Sequence, residues 1–156
     1  MGVEWYVNFV HPDETFRPSA EIFEKAKELL GSLGRLALEQ VATPQGTVRR
    51  SMTTGLVEKV EGDGDSWASF RPYAADVPFC DYSVNCYAEP TSRNENDGVP
   101  YTTTFEVTLT FDANKELAAE TPDIIEQKIR EYMGGVLEKI EELVGARLLM
   151  TESVEG

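Results

Sequence analysis

The run "EGDGDSW", residues 61–67, sets three carboxylates on alternate positions of a glycine-broken stretch. Alternating oxygens of this kind ligate calcium when glycine follows at the sixth position of the loop and a bidentate glutamate closes it at the twelfth. Counting from Glu61, those positions hold Ser66 and Pro72, and both flanks read as strands. The run is therefore expected to be a turn whose glycines accept positive φ. "NENDG", residues 94–98, is read in the same way, as turn formers at a hairpin tip.

Other reactive groups are sparse. His11 is the single histidine, and it precedes Pro12 at the end of the first apolar run. Zinc chemistry needs clustered His and Cys, so no metal is expected. Cys80 and Cys86 lie six positions apart with equal parity, about 20 Å in an extended chain, too far to bridge. They are read as small hydrophobes in a reducing compartment. The sequence contains neither a glycine-rich phosphate loop nor a G-x-S-x-G elbow, and in so acidic a chain paired carboxylates identify no enzyme. The reading is non-enzymatic, with no catalytic residue and no cofactor.

Charge is the more informative property. The 156 residues carry 14 Lys and Arg against 28 Asp and Glu, a formal net charge of −14. Residues 1–60 are near neutral, with 7 basic and 8 acidic groups, whereas residues 61–156 hold 7 and 20. That field repels nucleic-acid backbones and anionic membranes and draws cationic partners. No apolar run approaches the roughly 18 residues of a membrane span, and the first residues lack the basic and small-residue signature of a secretory leader. A single domain over residues 1–156, located in the cytoplasm, is the expectation.

The elements that must position these groups follow from periodicity. "VEWYVNFV" alternates as a strand with Trp5, Val7 and Phe9 on one side; Ser19 caps a helix through Leu33; "TPQG" turns between two strands, the second long and carrying Gly55 as a bulge. "FCDYSVNCYA" and "YTTTFEVTLTF" each keep one dry and one wet face across a long polar loop. One helix of more than six turns runs from Thr121 to Gly145, its double glycine Gly134–Gly135 tolerated for close packing, and "ARLLMT" is a last strand. The fold predicted is α+β: a two-layer sandwich, mostly antiparallel, with two helices on one face, broadly ferredoxin-like, and with a strand order that periodicity does not give.

On that scaffold the wet face offers Asp81, Asn85, Tyr87 and Glu106, rimmed by Asp63, Asp65, Glu95 and Asp97. Tyrosine among acids and amides suits protein recognition. The expected function is binding and neutralising a basic protein, with the negative groups gathered on one side. Small acidic immunity proteins act similarly on basic nuclease toxins, a comparison of size and charge only. The alternative is a small-ligand-binding or homo-oligomeric accessory domain, with a pocket lined by Trp5, Trp67, Phe70, Tyr73 and Tyr82.

Overall fold

The computed structural model describes residues 2–13, 15–61, 64–93, 101–112 and 120–154. Along the chain the elements are β1 (Gly2–Val10), α1 (Ala20–Gly31), β2 (Gly34–Thr43), β3 (Gly46–Ser51), β4 (Val57–Val60), β5 (Ser66–Pro72), β6 (Asp81–Arg93), β7 (Tyr101–Asp112), α2 (Pro122–Met133), α3 (Val136–Val144) and β8 (Arg147–Val154). The strands form one antiparallel sheet in the order β4-β3-β2-β5-β6-β7-β1-β8.

Alternation along the strands decides which face is dry. Register places Val7 opposite Val107, Val107 opposite Val84 and Val84 opposite Ala68, so one buried row crosses four central strands. Trp5, Leu109, Tyr82 and Phe70 make a second row beside it. Against this face lie Phe23, Ala26 and Leu30 of α1, Ile125, Ile129 and Met133 of α2, and Val136, Leu137, Ile140 and Val144 of α3, all in the same core. Burying one such side chain is worth about 1.5–3 kcal/mol, so this single interface supplies the main stabilising term.

Local chemistry sets the helix ends. Ser19 Oγ accepts the Ile22 amide hydrogen at 3.2 Å and starts α1. The long C-terminal helix expected from periodicity is instead two. Gly134 and Gly135 take φ values of 55° and 86°, and the Gly134 amide donates to the Arg130 and Glu131 carbonyls, which ends α2 before α3 begins. Among the described residues, and apart from the chain neighbours, no atom lies within 4 Å of where either Cβ would stand, so these glycines serve backbone conformation and not close packing.

Three further expectations are corrected. The fold is not ferredoxin-like: among the described residues six strands separate α1 from α2, and three helices, not two, pack on an eight-stranded sheet. The long second strand of the "TPQG" hairpin is two strands, because Gly55 turns the chain at φ 76° and the Ser51 amide donates to the Leu56 carbonyl at 2.9 Å. The "EGDGD" segment does not close a hairpin, because β4 and β5 are not neighbours in the sheet; Gly62 and Asp63 within it lie outside the described residues.

Candidate functional site: the open face of the sheet

The face turned away from the helices carries the alternate residues. Asp81, Ser83 and Asn85 of β6 keep partial exposure, and register sets them opposite Thr110, Thr108 and Glu106 of β7. On the other side of β7, Glu4, Tyr6 and Asn8 of β1 face the same three residues. Asp81 and Glu4 thus flank Thr110, with Tyr6 Oη donating to Glu4 Oε2.

One polar row spans the whole sheet on this face. Leu149, Asn8, Glu106, Asn85, Trp67, Gln40, Arg49 and Glu58 are successive register partners from β8 to β4. Arg49 donates from Nη2 and Nε to Gln40 Oε1 at 2.9 and 3.3 Å, and its guanidinium stands 5.7 Å from the Trp67 ring centroid. Gln40 Nε2 donates in turn to the Asp65 carbonyl at 2.9 Å. This bond ties the β4–β5 connection to the sheet. At Gly64 a Cβ would approach Gln40 Nε2 to 2.7 Å, so the missing side chain admits the amide.

Of the eight residues expected to form a contact face, the structure describes five. Glu106 is only 4% exposed, set between Asn8 and Asn85 with Thr108 Oγ1 donating to it at 3.2 Å; it is an interior residue of the polar row and not a surface contact. Asp81 and Asn85 do share the open face, and Asp65 joins its far side through backbone. Tyr87 follows Cys86 at the start of the register break before Thr91. Asp63, Glu95 and Asp97 lie outside the described residues.

Nor do the described negative groups gather on one side. Many described carboxylates stand on the helices and pair there: Glu21 with Lys25, Glu24 with Lys27, Glu131 with Lys128, and both Glu126 and Glu138 with Arg130. The open face carries Arg35, Arg49 and Arg71 as well as acids, since register and alternation bring these three to it. The aromatic pocket is also dispersed. Trp5, Phe70 and Tyr82 fill the core under the helices, Trp67 lies on the opposite face, and Tyr73 is 64% exposed.

The remaining reactive groups are occupied. His11 stacks on Phe16 at 3.9 Å, and its Nδ1 accepts the Asp13 amide hydrogen. Hydrogen bonds from the Thr15 amide and hydroxyl hold the Asp13 carboxyl below its ordinary range. Burial raises the Cys80 thiol, whose Sγ donates to the Thr110 carbonyl, and pushes the Cys86 thiol up to about 12. Neither is the lowered-pKa thiolate that nucleophilic chemistry uses. Among the described residues no three His, Cys, Asp or Glu side chains cluster as a metal site, and no helix is long and apolar enough to cross a membrane.

Sequence reasoning missed three features. Gln40–Arg49 follows from the hairpin at Pro44–Gln45, which fixes their register. The pairing of Lys27 with the buried Glu39 brings α1 onto β2, and the cross-strand arginines Arg35 and Arg71 need the β2–β5 register; nothing local signals either.

Among the described residues these elements define an α+β protein with one antiparallel eight-stranded sheet and three helices on a common core. No family model matches the chain, and no curated protein does. Among solved structures it is similar to the crystal structure of Ara h 8.0201, with 18% identity, covering 92% of this chain and 98% of that one at a TM-score of 0.35.

Proposed function

We propose a non-enzymatic binding protein that engages a basic protein partner through the open sheet face. One observation carries the reading: all three helices bury their apolar stripes against the other face, while Tyr6, Asp81, Ser83, Asn85 and Thr108 stay half-exposed on a rigid sheet. The corner where Glu4 and Asp81 flank Thr110 is the acidic part of that surface. The formal charge of −14 gives the sign of the partner, since such a field speeds encounter with cations and opposes anions.

The test is capture from the source cell on immobilised protein, at low and high salt, with wild type and an Asp81→Lys, Ser83→Arg double variant. The expected result is one basic protein held by wild type at low salt and lost both in the variant and at high salt. Equal capture by wild type and variant would sink the assignment of this face.

A further inference from the structure

Arg35 of β2 and Arg71 of β5 are register partners, directly opposite on neighbouring strands. Their neighbours Leu36 and Phe70 are also paired and pack toward the core, so alternation sends both guanidinium groups to the open face, where both residues are exposed. Side chains so placed start about 5 Å apart, and like charges directly opposite each other destabilise a sheet.

The pairing is the more telling because carboxylates outnumber cations two to one in this chain. Lys25, Lys27, Arg49, Arg50, Lys128 and Arg130 each reach a carboxylate. Neither Arg35 nor Arg71 does, and neither do Arg17, Lys59, Lys139 and Arg147 among the described residues, but only Arg35 and Arg71 of these are cross-strand register partners. Arg71 adjoins Phe70 and Asp81 adjoins Tyr82 in the β5–β6 register, yet the two form no ion pair.

The backbone beneath them is fixed. Gly34, just before Arg35, lies so close to the Arg71 carbonyl that a Cβ there would come within 2.5 Å of it, and the Tyr73 amide donates to the Leu33 carbonyl at 3.2 Å. Two planar five-donor forks on a pinned strand pair match the oxygens of a tetrahedral oxyanion.

We infer that Arg35 and Arg71 form a binding site for a single phosphate group, free or carried as a monoester on a small molecule. The net negative field opposes a polyanion such as a nucleic-acid backbone, whereas within a Debye length, about 8 Å, a small ligand meets the two adjacent cations with Asp81 as the neighbouring acid, a local excess of positive charge. The site shares the open face with the proposed docking surface, Arg71 lying next to Asp81 across β5 and β6, but its argument does not depend on that reading.

The experiment titrates inorganic phosphate and phenyl phosphate, at constant ionic strength with chloride as control, into wild type, Arg35→Gln, Arg71→Gln and Arg35→Glu, following melting temperature and amide shifts. Phosphate is expected to stabilise wild type and to move amides around residues 34–36 and 70–72, with affinity about tenfold or more weaker in each variant. Arg35→Glu replaces repulsion by a cross-strand attraction, so without phosphate it should melt above wild type; lost binding then cannot be lost folding. A stronger response to phenyl phosphate points to a monoester, and an equal one to free phosphate. Phosphate shifts of the same size in wild type and Arg35→Glu, or none in wild type, overturn the inference.

Discussion

Tyr82 Oη occupies the space that a side chain at residue 34 would need: a Cβ on Gly34 would lie 2.3 Å from that oxygen and 2.5 Å from the Arg71 carbonyl oxygen. The hydroxyl is held there because it donates to the Leu30 carbonyl near the end of α1 at 2.8 Å, inside the core. The bond links the sheet to the first helix where the chain turns from α1 into β2.

Gly34→Ala should therefore destabilise by about 2–3 kcal/mol, as overpacking against fixed atoms does. Tyr82→Phe removes one obstacle but leaves the backbone carbonyl, so the double variant should recover only part of the loss. Denaturant unfolding of the four proteins checks this. Full recovery would mean that the strand backbone yields.

Lys27 and Glu39 meet between α1 and β2, with side chains only 12% and 6% exposed, and Lys27 Nζ sits 2.5 Å from Glu39 Oε2. Glu39 is on the core side because its register partner is Ala68. Removing one partner leaves a poorly compensated buried charge, so Lys27→Met should cost about 3 kcal/mol. Replacing both, with Glu39→Leu, should return stability to within about 1 kcal/mol of wild type. The double-mutant cycle is measured by urea unfolding, and simple additivity would show the pair to be uncoupled.

The local elements were largely legible, as Val7, Val84 and Val107 illustrate: strict alternation announced strands with one dry face, and the structure buries all three. Ser19 likewise declared itself as a cap. Pairing between distant strands was not legible, because alternation names a face but no neighbour. Trp67 lies beside Gln40 only because β5 inserts next to β2, and this separated Trp67 from the aromatics expected to share its pocket. Glu106 misled for a related reason: its polar side chain read as wet, but its central position between Asn8 and Asn85 excludes water. Charge counting also passed over how the helices space Glu and Lys three or four apart, where they pair.

The break between α2 and α3 gives a prediction about backbone alone. With φ at 55° and 86° and no neighbour within 4 Å, Gly134→Ala and Gly135→Ala should each cost about 1 kcal/mol through left-handed strain. Gly134→Asn should cost less, since asparagine tolerates that region. Thermal melts of the three variants decide it. A uniform and much larger loss would mean that packing, not conformation, requires glycine there.

Stability should fall on the alkaline side through Cys86. Burial pushes its thiol up to about 12, whereas an unfolded cysteine ionises near about 8.5. Between those values the unfolded chain has released a proton that the folded protein retains, so unfolding gains free energy as pH rises, by at most about 1.4 kcal/mol per pH unit. Below about 8.5 both states hold the proton and the contribution is flat. Tyr82, also raised chiefly by burial, adds a loss of the same sign, but only above about 10, where a free phenol ionises. Unfolding free energies measured from pH 8 to 10, a window set about these reference values, therefore leave out the phenol and report the two thiols, Cys86 and the likewise raised Cys80. Wild type should lose stability more steeply across that range than Cys86→Ala, which is less stable at neutral pH by about 1 kcal/mol for the lost packing and keeps only the Cys80 contribution. Equal slopes for the two proteins would place the buried proton elsewhere.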